Sequence, residues 1–173
     1  MTAAPNLTVT RHARDADLAQ IVDLYNHYVR ETAITFDIEP FTVETRAPWL
    51  AQFRETGPHQ LLVAERGGEI LGYAGTMPFR AKAAYDRSVE TTIYIRDGFG
   101  GQGLGRALYE ALFDALEGAP VHRLLAGMTL PNDASDALHR RMGFEPCGVF
   151  PEVGFKFGRY WDVQWYDRPL RAG

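Results

Sequence analysis

In the first third of the chain, apolar residues recur at the spacing of one helix face. Leu18, Ile21, Val22, Leu24, Tyr25, Tyr28 and Val29 follow Asp15 and Asp17, which predicts a helix over 16–31 with those aspartates as its caps. A second helix is expected to begin near Thr42 and to carry Trp49, Leu50 and Phe53; Pro48 disturbs its first turn, and Gly57-Pro58 closes it. The pattern then shortens to the alternation of strands. LLVAERGGEILGYAGTM reads as a hairpin around Arg66-Gly67-Gly68-Glu69, in which the glycines supply positive φ. SVETTIYIRD, residues 88–97, reads as a central strand. After it come a glycine loop, a helix over 103–117, the strand HRLLAGMTL, a helix over 134–142 stopped by Gly143, and two aromatic strands that turn at Gly158. The order ααββ, then βαβ, then αββ predicts an α/β fold, a mixed sheet with helices packed on it.

No linker, charge block or repeat divides the 173 residues, so one domain over 1–173 is expected. A formal charge of −4 gives no support to a nucleic-acid or anionic-membrane partner. The N-terminal MTAAPNLTVTRHARDADLAQ lacks a basic segment followed by an apolar one, and no stretch approaches the ~20 apolar residues that span a bilayer, so a cytoplasmic location is expected. The single cysteine, Cys147, cannot form an internal disulfide; between Pro146 and Gly148 in an expected strand it reads as a small core residue. Five scattered histidines and one cysteine make no zinc pattern, and no metal is expected.

The loop between strand and helix, RDGFGGQGLGRALYEALFDAL, packs five glycines into eight residues. Gly98 to Gly103 satisfies GxGxxG, but a dinucleotide fold needs two βαβαβ halves and only about one βαβ unit surrounds this loop. Residues 100–107, GGQGLGRA, approach the P-loop pattern, yet Arg106 stands where Lys is needed and Ala107 where a Mg²⁺-binding hydroxyl is needed. What survives is the physics common to such loops: glycines let backbone N–H groups approach an anion, and the helix N-terminus favours it. A pyrophosphate is the natural guest; a plain tight turn would call for fewer glycines.

TTIYIRDGFGGQGLGRALYEAL resembles the acetyl-CoA motif of the GCN5-related N-acetyltransferases, (Q/R)xxGx(G/A). The resemblance implies the GNAT fold, a mixed, mostly antiparallel sheet of about six to seven strands flanked by about four helices. It implies acetyl-CoA as co-substrate, its pantetheine arm paired with the backbone of Ile93, Tyr94 and Ile95 and its pyrophosphate held by Gly101, Gln102, Gly103, Leu104, Gly105 and Arg106. Gly100 departs from the motif, standing where Gln or Arg is usual. IVDLYNHYV, ITFDIEP, SVETTIYI, LPNDASDALHRRMGF and GFKFGRYWDVQW, in that order, are similar to the phosphinothricin and methionine sulfoximine acetyltransferases. That implies an acetyl-CoA-dependent N-acetyltransferase acting on the α-amino group of a glutamate-like amino acid analogue, and a homodimer.

Acetyl transfer to an amine needs a base for the amine's proton, a stabilised oxyanion and a proton for the thiolate. The period of two puts Ser88, Glu90, Thr92 and Tyr94 on one face of their strand and Val89, Thr91, Ile93 and Ile95 on the other. Glu90 is therefore the candidate base, its alternative being a solvated carboxylate on a half-exposed strand. Asn132 follows Pro131 at a strand-to-helix junction, where it caps the helix or, as the resemblance implies, bonds the pantetheine arm. His139 lies two turns along; the subfamily resemblance implies a general acid, while a helix bearing Arg140 and Arg141 favours a surface histidine equally. Arg80 and Lys82 suit a substrate carboxylate or phosphinate. Phe36 resembles an aromatic pocket wall, and by the same resemblance Thr91 and Thr92 face the acceptor; Lys156 and Tyr160 stand behind them. Two other functions remain open on the residues alone: the same fold acting on another amine or a protein N-terminus, and a non-catalytic acyl-CoA-binding module.

Overall fold

The structure, a computed structural model, describes residues 7–171. Seven strands form one sheet in the order β1-β2-β3-β4-β5-β7-β6. They are β1 (Val9–His12), β2 (Leu61–Arg66), β3 (Glu69–Pro78), β4 (Ser88–Ile95), β5 (Arg123–Thr129), β6 (Glu145–Lys156) and β7 (Arg159–Pro169). Every neighbouring pair is antiparallel except β4 and β5. Four helices accompany them: α1 (Leu18–Glu31), α2 (Val43–Leu50), α3 (Leu104–Ala115) and α4 (Asp133–Arg141). This is the mixed, mostly antiparallel α/β architecture expected from the sequence.

Strand alternation divides the interior into two cores. Leu61, Val63, Ile70 and Tyr73 face α1 and α2, while Leu62, Ala64, Leu71 and Ala74 face α3. Burial on both faces explains why LLVA is a continuous apolar run rather than an alternating one. β4 follows the same rule: Val89, Ile93 and Ile95 join the α3 side, and Tyr94 joins the α1 side.

The structure departs from the sequence reading at several points. β1 was not foreseen, because four half-exposed residues at a sheet edge carry little periodic signal. Asp15 and Asp17 make no side-chain cap to α1; Asp17 instead grips the Arg11 guanidinium through both oxygens, at 2.7 and 2.8 Å. The arginine and the Arg14 N–H that also reaches it hold the Asp17 carboxyl below its usual range, against the opposing effect of burial. Trp161, Val163 and Trp165 share one face of β7, and Tyr166, on the other, enters the α3 core. Cys147 is exposed, not a core residue. Pro48 sits inside α2 rather than in its first turn, and the helix stops at Leu50, two residues later. Thr42 caps that helix by exchanging side-chain bonds with Thr45.

Candidate active site

The site is made by a separation of strands. β4 lies beside β3 from Val89 to Ile95 but beside β5 only from Ser88 to Glu90. Beyond Leu125, β5 stays with β7 as far as Thr129, so a gap opens between β4 and β5. Thr91, buried, fastens the point of parting: its Oγ1 donates to the Leu125 carbonyl at 3.1 Å. The Arg96 N–H donates to the Leu71 carbonyl on the β3 side at 2.7 Å. Alternation therefore turns the N–H and C=O of Ile93 the other way, into the gap. The Ile95 carbonyl already accepts from the Tyr28 hydroxyl. Tyr94, in step with Arg96, turns its own N–H and C=O toward β3, and its ring packs edge-on against Tyr25 at 5.1 Å, so of Ile93 and Tyr94 only Ile93 presents backbone groups to the gap.

Two cavities flank β4. One, of about 210 Å³, occupies the gap and is lined by Phe36, Glu90, Thr91, Thr92, Ile93, Tyr109, Asn132 and His139 among others. The other, of about 290 Å³, lies on the α1–α2 side between Tyr25, Arg46, Trp49, Tyr73, Met77, Pro78, Glu90, Thr92 and Tyr94. Glu90, Thr92 and Tyr94 border both. Desolvation raises the Glu90 pKa above the ordinary carboxylate value, and nearby Arg80 opposes that rise. A carboxylate with an elevated pKa where two cavities meet can accept a proton from an amine brought to either side.

The glycine loop leads from β4 into α3. Gly98, Gly101 and Gly103 have φ of +81°, +74° and +80°, values that L side chains rarely adopt, and Gly103 is the residue before the first turn of α3. Leu104, Gly105 and Arg106 form that turn, with Arg106 paired to Glu110 at 2.7 Å on the surface. At Gly105 an added Cβ would lie 2.8 Å from Leu138 Cδ2, so this glycine lets α4 approach α3. Gln102 is exposed beside the Arg66 guanidinium. Gly100 differs from its neighbours, because its φ is unexceptional and an added Cβ would meet nothing within 4 Å. Gly100→Arg is therefore expected to fold normally and to lower the KM for acetyl-CoA about threefold, through one added cation near a pyrophosphate. Steady-state kinetics at low ionic strength check this, and an unchanged or raised KM would refute it.

Asn132 does cap α4: its Oδ1 accepts from the Ser135 N–H at 3.2 Å, and its amide donors are left toward the gap cavity it lines. His139 is only 4% exposed, which removes the reading of a surface histidine. Its Nδ1 lies 2.7 Å from the Ser135 carbonyl, which can only accept, so Nδ1 carries the hydrogen; Nε2 then accepts from the Tyr109 hydroxyl at 2.8 Å. Burial pushes the imidazole below its usual pKa despite the Ser135 bond, which favours this neutral form.

The 33–37 segment, whose Ile34, Thr35 and Phe36 line the gap cavity, is braced from beneath. The Tyr25 hydroxyl donates to Asp37 at 2.5 Å and accepts from Thr35, while buried Lys156 donates to the Thr35 carbonyl at 2.8 Å. Lys156 thus supports the loop that carries Phe36. The Phe36 ring lies so close over Gly154 that a Cβ there would come within 2.0 Å of its Cζ. Arg80 and Lys82 are exposed; Arg80 stacks on Phe79 at 4.1 Å and bonds its carbonyl. Tyr160 is 60% exposed and packs on Phe155. Tyr109 and Arg46 escaped the sequence reading. Tyr109 is a polar tip among the apolar positions of α3, and Arg46 is a cation between Phe41, just before its helix, and Trp49 within it; both signals are visible once the faces are known. Among the described residues no cluster of three or more His, Cys, Asp or Glu could hold a metal ion, and no helix is long and apolar enough to cross a membrane.

Comparison with known proteins finds relatives over most of the chain. The family described as "Acetyltransferase (GNAT) domain" matches residues 10–165. Phosphinothricin N-acetyltransferase of Streptomyces coelicolor is 58% identical over 90% of this chain and 92% of its own. An L-methionine sulfoximine/L-methionine sulfone acetyltransferase of Pseudomonas aeruginosa is 36% identical over 88% and 89% respectively. A GNAT superfamily phosphinothricin acetyltransferase from Sinorhizobium meliloti, solved in complex with acetyl-CoA, superposes with a TM-score of 0.89 at 30% identity, covering 96% of this chain and 90% of that one.

Proposed function

The chain belongs to the GNAT acetyltransferase family, and we propose that it transfers the acetyl group of acetyl-CoA directly to the α-amino group of a glutamate-like amino acid analogue: phosphinothricin, methionine sulfoximine or methionine sulfone. The observation that carries this reading is the place of Glu90, on the wall of both cavities. The gap and the loop fit the thioester substrate: the backbone of Ile93 would pair with the pantetheine arm, and the N–H groups of Gly101 to Arg106 would hold the pyrophosphate. Bound there, acetyl-CoA supplies an activated acyl carbon.

Glu90 takes a proton from the acceptor's ammonium, directly or through one water, and frees the nitrogen's lone pair. The N–C bond forms and the C–S bond breaks; the second proton, shed by the nitrogen as it becomes an amide, passes through water to the leaving thiolate. Because His139 is neutral and its Nδ1–H is engaged with Ser135, it acts on the leaving side by holding the Tyr109 hydroxyl in place. Arg80 and Lys82 remain rim cations for the acceptor's carboxylate or phosphinate.

Thiol release from acetyl-CoA with phosphinothricin, methionine sulfoximine, methionine sulfone, ordinary amino acids and short peptides tests the substrate class. Turnover concentrated on the three analogues supports it; turnover concentrated on peptides would place the enzyme with N-terminal acetyltransferases instead. A homodimer belongs to the same proposal. Val149, Phe150, Val153, Phe155, Phe157 and Tyr160 of the β6–β7 hairpin are 46–60% exposed, a concentration of apolar surface that a second copy would cover. Sedimentation is expected to give twice the chain mass, and a monomer at micromolar concentration would refute it.

A further inference from the structure

The cavity on the α1–α2 side contains a cation that no carboxylate pairs with among the described residues. Arg46, on α2, lays its guanidinium over Trp49, Phe41 and Tyr25, with Cζ 4.1, 4.6 and 4.7 Å from their ring centroids. Those rings satisfy its faces and leave its in-plane N–H donors unanswered. No ion pair to Arg46 occurs among the described residues. Its Nε is buried without a hydrogen-bond partner, and so is the hydroxyl of Tyr73 on the same cavity wall. Buried donors without acceptors are costly and uncommon in folded proteins, and two in one cavity mark the place of a missing acceptor.

We infer that Arg46 binds an anionic oxygen group of the amine acceptor, a carboxylate or a phosphinate, with the Tyr73 hydroxyl as a second donor. The inference rests on the acceptor class proposed above and adds the residue that grips it. A guanidinium fork presents two parallel donors that match two oxygens on one carbon or phosphorus. Glu90 borders the same cavity, so the cavity offers one carboxylate and one guanidinium. That pair complements a molecule carrying an ammonium and an anion a few bonds apart. Tyr25, Trp49 and Tyr94, aromatic residues lining the same cavity, suit its methylene groups. Arg80 and Lys82, by contrast, are exposed, where a charge contact contributes little.

The test is the steady-state kinetics of Arg46→Gln and Arg46→Lys with phosphinothricin, methionine sulfone and methionine sulfone amide. Arg46→Gln is expected to raise the acceptor KM about tenfold, with kcat and the KM for acetyl-CoA little changed, since the lost contact holds the acceptor equally before and during reaction. Arg46→Lys keeps the charge without the fork and should fall between. A rise for phosphinothricin alone assigns the phosphinate; a rise for both acids but not the amide assigns the α-carboxylate. An unchanged acceptor KM, or an equal rise for acids and amide, overturns the role of Arg46. If the wild-type protein turns over none of these acceptors, the acceptor class fails and this assignment with it; if it turns them over beside an indifferent Arg46→Gln, only this assignment fails.

Discussion

Glu90→Gln is expected to lower kcat by about 10²-fold or more, the usual scale of a lost general base, while leaving the KM for acetyl-CoA little changed. The substitution keeps the side chain's shape and removes its ability to take a proton. The pH profile supplies a second readout. Desolvation raises the Glu90 pKa, and the base works only when ionised. In the wild type kcat/KM should therefore rise with pH through a value above the ordinary carboxylate range, and Glu90→Gln should lose that limb. Stability moves in the opposite direction. A native pKa above the unfolded one means the folded chain binds the extra proton more tightly, so stability falls as pH rises from the unfolded value of about 4.5 through the raised native one. Above both values the cost is constant. Glu90→Gln removes it, so the variant should melt at or above the wild-type temperature at neutral pH. An inactive but undestabilised variant separates chemistry from folding; unchanged turnover would remove Glu90 from the mechanism.

Gly103→Val is the second large effect expected, and it falls on the other substrate. Gly103 has φ +80° immediately before α3. A β-branched residue there would be held in the left-handed region at a cost of about 1–2 kcal/mol, or would pull the backbone out of it. Relaxation turns the first N–H groups of the helix away from the pyrophosphate. The KM for acetyl-CoA should rise about 30-fold, equivalent to about 2 kcal/mol, with a smaller change in kcat. The local setting makes the interpretation clean, because an added Cβ at Gly103 meets nothing within 4 Å. Any loss therefore comes from backbone conformation and not from a clash. A variant with unaltered acetyl-CoA kinetics would show that this loop does not hold the pyrophosphate.

Much of this arrangement was legible in the sequence, for identifiable reasons. The hairpin turn at Gly67-Gly68 was visible because two consecutive positive-φ residues, +60° and +88°, need glycine. The two faces of β4 were visible because the strand period is two, and the structure puts Val89, Ile93 and Ile95 opposite Tyr94 as that period requires. The gap between β4 and β5 was not visible, since it depends on where the pairing of Glu90 with Leu125 ends, and register between distant strands leaves no local mark. The environment of His139 was hidden for a related reason. The two arginines that follow it suggest a surface helix, yet the helix turns this side chain inward onto Tyr109, from α3. Arg46 was passed over because a cation in a weak helix looks solvated; only the fold shows three rings gathered around it. Asp17 misled in the opposite sense, since a helix-start aspartate is usually a cap, and here the strand partner Arg11 claims it.

The central claim is that one carboxylate, Glu90, borders both the acceptor cavity and the acetyl-CoA gap, so the two substrates meet there and the acetyl group passes once, without a covalent enzyme intermediate. Initial velocities measured while acetyl-CoA and phosphinothricin are varied together test this most directly. Direct transfer within a ternary complex predicts double-reciprocal lines that intersect. Parallel lines would mean that the acetyl group rests on the protein before the amine arrives, and would contradict it.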